Sequence, residues 1–104
     1  MSKKLDVCLT LLLTRGLEAR ILDQLLQHPV WVGPFTVSRV EGHGDPASIS
    51  SAREQVRGRA ERLRIEILMD ADHVTELLDD LRAVLPSPDV AWWLSPVSAS
   101  GSLG

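Results

Sequence analysis

Residues 36–44 read TVSRVEGHG and residues 62–69 read RLRIEILM, and these two segments decide the fold. Apolar side chains fill every second position of the latter segment, at Leu63, Ile65, Ile67 and Met69. This alternation gives an extended strand one fully apolar face. The residues between the segments offer few side chains to a core, and so long a loop in a small domain is usually functional or disordered. The pattern predicts two strands joined by a functional loop over about residues 42–60.

Further strand signals lie on both sides of this pair. Residues 5–13 carry apolar side chains at the odd positions, which predicts the first strand. The second strand is expected over residues 35–41, and a short fourth strand over residues 90–94. Residues 52–62 fit either a short charged helix or an extension of the third strand, although Gly58 disfavours a long helix.

Two helices are predicted from apolar residues spaced three and four apart. Thr14 is placed to cap the first helix, and Asp70 or Asp72 the second. Prolines that follow each stripe end the helices, since the residue before proline avoids the helical region. The stripes are Leu17, Ile21, Leu22, Leu25 and Leu26 in the first helix, and Val74, Leu77, Leu78, Leu81 and Leu85 in the second.

The predicted order of elements is βαββαβ, which is an α+β, ferredoxin-like sandwich. Two right-handed crossovers place both helices on one face of a four-stranded antiparallel sheet. We expect a single domain over residues 1–97 and a flexible tail, rich in Ser and Gly, over residues 98–104. The other sheet face is partly apolar, and the adjacent Trp92 and Trp93 must point to opposite faces. This exposed patch predicts a homo-oligomer, a cyclic trimer whose sheets face inward.

Composition excludes several classes of protein. The net charge of −3 argues against nucleic-acid binding through overall charge. The single cysteine, Cys8, excludes an intramolecular disulfide and fits a reducing compartment. No run of about 18 apolar residues predicts a membrane span, and no cleavage site follows the apolar N-terminal segment. We therefore expect a cytoplasmic protein without membrane insertion.

Sequence motifs for catalysis are missing. The chain has no P-loop, no helical HExxH and no Ser–His–Asp order. It has no asparagine to position water in the manner of acylphosphatases, and its first and third strands lack the stacking aromatics of RNA-recognition modules. The sequence predicts a protein that is not an enzyme.

Two blocks of the sequence resemble PII-family signalling proteins. FTVSRVEGHG, at residues 35–44, is similar to their second strand and loop entrance, and LRIEILMDADHVTELLDDL, at residues 63–81, to their third strand and second helix. The resemblance covers roughly residues 4–83 in element order, and the CutA family is similar in architecture. The resemblance to the PII family implies a trimer of ferredoxin-like subunits with a nucleotide between subunits. It also implies a T-loop between strands two and three that contacts a transporter, an enzyme or another regulator.

The same resemblance implies a set of ligand-binding residues. Thr36 lies where the family contacts adenine, and residues 42–44 where backbone amides approach phosphate. Arginine side chains are suited to bidentate phosphate contacts, although the arginines of this region could also pair with nearby glutamates. The predicted set for an adenine nucleotide is Thr36, Gly42, His43, Gly44, Arg57, Arg59 and Arg62.

The chain also departs from the nitrogen-regulating PII proteins. Residues 84–97 read VLPSPDVAWWLSPV and contain no glycine, lysine or arginine, where those proteins have a phosphate-binding loop. The chain contains no tyrosine, which excludes tyrosine modification. These departures favour a divergent member that binds another nucleotide, a metal or only a partner.

A metal-linked role is the alternative. The candidate ligands for a divalent metal ion are His43, His73 and Cys8, and no pair has zinc-type spacing. A metal site would therefore have to form from separated residues or between subunits. Small PII-like proteins also occur beside metal-efflux transporters, which favours a role in metal tolerance or efflux.

Overall fold

The elements follow in the predicted order βαββαβ in a computed structural model, which describes residues 4–43, 59–85 and 90–104. A single 3-10 turn precedes each helix, at Arg15–Leu17 and at Ala71–His73. The elements are β1 (Val7–Thr14), α1 (Glu18–Leu26), β2 (Val32–His43), β3 (Arg59–Met69), α2 (Val74–Val84) and β4 (Ala91–Pro96). The ferredoxin-like fold predicted from the sequence is confirmed.

The four strands form one antiparallel sheet in the order β2-β3-β1-β4. Strand β1 pairs with β3 on one side, from Val7 opposite Met69 to Thr14 opposite Arg62. On its other side β1 pairs with β4, where Leu12 lies opposite Ala91. The β1–β4 ladder is continued by Val97, whose amide donates to the Asp6 carbonyl at 2.9 Å.

One hydrophobic core joins a single face of the sheet to both helices. Alternation places the odd-numbered residues of β1 and β3 on this face, and those from Leu9 to Leu13 and from Leu63 to Met69 are almost fully buried. The helices contribute apolar residues spaced three and four apart, so that both helices cover the same face. The core comprises Leu9, Leu11, Leu13, Ile21, Leu25, Val32, Leu63, Ile65, Ile67, Met69, Val74, Leu77, Leu78, Leu81 and Leu85.

The start of α2 is held by two aspartates. Asp70 Oδ1 accepts a hydrogen bond from the Asp72 amide at 2.8 Å, which confirms Asp70 as the predicted cap. Asp6 Oδ1 accepts from the Ala71 amide at 2.9 Å. That hydrogen bond, together with the nearby Lys4 ammonium, lowers the pKa of Asp6. Stabilisation of its charged form therefore fixes β1 to the beginning of α2.

The predicted cap of the first helix is wrong. Thr14 precedes the 3-10 turn, but its side chain makes no capping hydrogen bond. Thr14 is the last residue of β1, where it pairs with Arg62.

Strand β2 is longer than the predicted segment 35–41. Gly42 and His43, which were expected in the loop, pair with Ala60 and Arg59. The predicted loop is thus narrower at both ends, and its residues 44–58 lie outside the described residues. At the other end of β2 a bulge between Val32 and Phe35 shifts the register.

Gly33 lies in this bulge and is packed against β3. A Cβ atom at this position would overlap the Leu68 carbonyl oxygen and approach Leu5 Cδ2 at 2.9 Å. The close approach of two backbones therefore requires glycine here.

Residues 98–104 follow the sheet without helix or strand, and the predicted division into a domain and a flexible tail stays a prediction. In the described ranges, no helix combines the length and the apolar character needed to cross a bilayer.

Candidate functional site

Strands β2 and β3 continue beyond the end of β1 as a two-stranded extension. The β1–β3 ladder ends at Thr14 and Arg62, whereas the β2–β3 ladder continues to His43 and Arg59. We call residues 41–43 and 59–61 the ribbon. No third strand pairs with the ribbon among the described residues.

The predicted ligand-binding residues that the structure describes lie along β2 and β3. Thr36 is exposed and lies opposite Glu66, one strand away from Thr10. Gly42 and His43 belong to the ribbon, with Arg59 opposite His43. Gly44 and Arg57 lie outside the described residues. The structure therefore puts Gly42, His43 and Arg59 together, and Thr36 several residues away along the strand.

Arg62 differs from the other arginines whose burial the structure describes because it is buried, with 2% of its surface exposed. It lies between Thr14 and Val40 in the sheet, and its NH1 donates to the Glu61 carbonyl at 3.3 Å. A buried guanidinium keeps its charge, because arginine cannot be deprotonated in proteins. Arg62 therefore brings a permanent positive charge to the base of the ribbon.

His43 is exposed on the ribbon. Its Nε2 lies 3.4 Å from Glu41 Oε2, and 62% of its side chain is exposed. A contact this open to solvent contributes little to stability. The imidazole is therefore free to turn toward a ligand at small energetic cost.

The three candidate metal ligands do not meet within one subunit. Cys8 lies opposite Leu68, at the end of the sheet remote from the ribbon, and His73 immediately precedes α2. From Leu68 to Arg59, which pairs with His43, β3 spans on the order of 30 Å. His73 Nδ1 instead lies 3.5 Å from Glu76 Oε1. Among the described residues, no three His, Cys, Asp or Glu side chains are grouped to hold a metal ion.

The sheet face without helices, which we call the open face, contains both polar and apolar side chains. Trp93 pairs with Thr10 and lies on this face, whereas Trp92 pairs with the core residue Leu11. Trp92 lines an apolar cavity of about 130 Å³ between the sheet and α2, as its pairing with Leu11 requires. The two tryptophans therefore point to opposite faces, as predicted. The open face comprises Cys8, Thr10, Leu12, Thr36, Arg64, Glu66, Leu68 and Trp93.

Sequence reasoning missed two groups of polar residues. The first joins the helices: Gln24 Nε2 and His28 Nε2 both contact Asp80 Oδ2, and the His28 ring stacks on Trp31. The spacing of Gln24 and His28, four residues apart, was a signal that both lie on one side of a helix end.

The second missed group lies on the helix side of the ribbon, where Arg39 and Glu41 alternate along β2. There Arg15 NH1 lies 3.3 Å from Glu61 Oε2. Period-two spacing of Arg39, Glu41 and His43 was the available signal, because it places all three on one face of the strand.

The sequence profile of DUF3240, described as a protein of unknown function, matches residues 2–104. A comparison with curated proteins found no match. A crystal structure of a DUF3240 family protein from Shewanella baltica OS155 is similar with a TM-score of 0.77 and 20% identity, over 97% of this chain and 99% of that one.

Two PII-type structures share the fold at low sequence identity. CPII from Thiomonas intermedia K12, bound to ADP, AMP and bicarbonate, has a TM-score of 0.69 and 13% identity, with 94% and 96% of the two chains covered. The GlnK–ATP complex from B. subtilis has a TM-score of 0.64 and 24% identity, with 88% and 81% covered. The chain therefore belongs to the DUF3240 family and shares its fold with these PII-type structures.

Proposed function

We propose that this protein is a non-catalytic, cytoplasmic PII-like regulator that works as a trimer. It binds an adenine nucleotide between subunits and contacts a partner protein, a membrane transporter or an enzyme, through residues 42–60. The observation that carries the proposal is the ribbon, which extends the β2–β3 ladder beyond β1.

The ribbon supports a ligand-dependent contact. Gly42 lies near its tip, where a backbone without Cβ lets an anion approach the amides closely. Arg59 pairs with His43 at the same level, and the buried Arg62 lies three residues further into the sheet. A phosphate held here would shift the conformations of the segment that connects the two strands, because both ends of that segment are attached to the ribbon.

The open face supports the trimer. Trp93 exposes 45% of its surface, and it lies in one row with Thr10 and Glu66. The apolar Leu12 and Leu68 are only partly buried on the same face. Burial of this mixed face against other copies would remove apolar surface from water without placing many charges in the interface.

The relatives support the class of ligand. CPII binds ADP and AMP, and the GlnK structure is a complex with ATP. Exposed Thr36 offers a hydroxyl that can donate to a base or accept from it. The metal-tolerance alternative stays a prediction, because no described observation brings His43, His73 and Cys8 together.

The test combines mass and affinity measurements on the full chain. Light scattering should give a molecular mass of three times 11.4 kDa. Calorimetry should show saturable binding of ATP, ADP or AMP. Thr36→Val should weaken that binding, whereas Thr75→Val, at an exposed position of α2, should not. A nucleotide at one hundred times its dissociation constant should add about 2.7 kcal/mol to the free energy of unfolding.

Two results would overturn the proposal. A monomer would remove the intersubunit cleft, and stabilisation of metal-stripped protein by copper, zinc, cobalt or nickel but by no nucleotide would favour the alternative.

A further inference from the structure

A separate cleft lies on the helix side of the ribbon, and we call it the ribbon cleft. It has a volume of about 330 Å³ and is lined by Arg15, Arg39, Val40, Glu41 and Glu61. None of these residues belongs to the set predicted to bind the nucleotide. The volume is at the lower end of the range for small-molecule sites.

Two carboxylates face each other in this cleft. Glu41 and Glu61 are directly opposite across the β2–β3 ladder, an arrangement that is destabilising for like charges. A guanidinium and an imidazole lie beside them: Arg15 NH1 is 3.3 Å from Glu61 Oε2, and His43 Nε2 is 3.4 Å from Glu41 Oε2. A positive group placed between the carboxylates would reduce their repulsion further.

Arg39 supplies the opposite charge in the same cleft. It lies on the same side of β2 as Glu41, two residues closer to the centre of the sheet. Its partner across the ladder is the core residue Leu63. The Arg39 side chain is exposed, and no carboxylate of the described residues lies within ion-pair distance of it. Its planar guanidinium can therefore donate two parallel hydrogen bonds to a carboxylate.

The charge balance of the cleft selects the chemistry of the ligand. Two arginines and two glutamates give the lining a formal net charge of zero, with His43 neutral. A simple anion at Arg39 would also approach both glutamates, and a simple cation at the glutamates would also approach both arginines. A zwitterion satisfies the two kinds of group at once.

We propose that the ribbon cleft binds the head group of a free α-amino acid. The ligand carboxylate accepts hydrogen bonds from Arg39, and the ligand ammonium lies between Glu41 and Glu61. The ligand side chain extends toward solvent, since the cleft is open and its charged side chains are about half exposed. The residues that line this cleft are not among those predicted to bind the nucleotide.

The test uses backbone-labelled full-length protein in its native assembly. Glycine, L-alanine and L-glutamine are each titrated while the amide resonances of Arg39, Glu41 and Glu61 are followed by NMR. We expect saturable shifts at these amides with all three ligands, and none with sodium acetate or methylammonium chloride at equal concentrations.

Matched variants separate the cleft from general surface charge. Arg39→Ala and Glu61→Gln should each weaken binding by about tenfold or more, since each removes a charge-assisted contact. Arg82→Ala, at an exposed arginine of α2 that pairs with Asp79, should leave the affinity unchanged.

Each of the following results would overturn the inference. One is the lack of a saturable shift with every amino acid. Another is the same shift with acetate alone or with methylammonium alone, which would show a simple ion site. A third is full affinity in Arg39→Ala with an unchanged fold by circular dichroism.

Discussion

His28 joins the two helices, because its Nε2 lies 2.9 Å from Asp80 Oδ2 across the interface. Gln24 Nε2 donates to the same oxygen, and the His28 ring stacks on Trp31 with centroids 4.4 Å apart. His28 and Asp80 expose only 21% and 28% of their side chains, so solvent competes weakly for the contact. The cluster therefore fixes the end of α1, and the turn into β2, against α2.

Removing the shared acceptor should destabilise the protein. We expect Asp80→Ala to lower the free energy of unfolding by about 1–2 kcal/mol, since two partly buried partners lose their hydrogen bond. Asp79→Ala is the matched control, because Asp79 is the adjacent residue of α2 and contacts only exposed Arg82 among the described residues. Asp79→Ala should change the free energy of unfolding by less than about 0.5 kcal/mol. Equal urea midpoints for the two variants would contradict the role of the cluster.

Glycine at position 33 should be essential to the sheet edge. Gly33→Ala places a Cβ against the Leu68 carbonyl oxygen, a backbone atom that cannot turn away. We expect the free energy of unfolding to fall by about 1–3 kcal/mol, as for other overpacked sites. Gly16→Ala is the control, because no atom lies within 4 Å of its added Cβ. Thermal unfolding of both variants measures the difference, and equal melting temperatures would be the contrary result.

Acid should weaken the connection between β1 and α2. The Ala71 amide and the Lys4 ammonium lower the pKa of Asp6 below the ordinary value of 3.8. The unfolded chain therefore takes up the proton first, so the contribution of Asp6 is complete above pH 3.8 and disappears as the pH falls through the folded-state pKa. Asp6→Asn should be less stable than the wild type at pH 7, and the difference should shrink toward pH 2. Urea titrations at several pH values test this, and a difference that stays constant with pH would refute it.

The open face should control assembly. Trp93→Arg adds a charge to this face at a residue that is already 45% exposed, so the subunit should still fold. We expect light scattering to show a shift from trimer to monomer, since an unpaired charge in an interface is costly. Leu26→Arg is the control, because Leu26 is 69% exposed on the helix side. Trimers of unchanged stability in both variants would exclude an interface that contains Trp93.

Much of the fold is predictable because its signal is local. The alternation in β1 and β3 and the stripes of α1 and α2 each follow from one segment, and together they specify the order βαββαβ. The end of β2 was missed because Gly42 and His43 carry no apolar side chains. Only hydrogen bonds to β3 show that these residues continue the strand.

The polar clusters depend on packing between distant segments, which the sequence does not display. The sequence around His28, which precedes Pro29, indicates only the end of a helix, because its partner Asp80 comes from the other helix. Arg15 and Glu61 likewise meet only when the beginning of α1 is placed beside β3. The charges themselves were visible, but their neighbours were not.

The ribbon also limits how the chain can vary in length. Residues alternate between the two sides of β2, so Arg39, Glu41 and His43 face one way and Val40 and Gly42 the other. Insertion of one residue within this part of β2 would exchange every side chain beyond it between the two sides. We therefore expect viable insertions here to come in pairs, whereas single insertions should be confined to residues 44–58. A library of length variants would thus show an odd–even pattern of survival along β2.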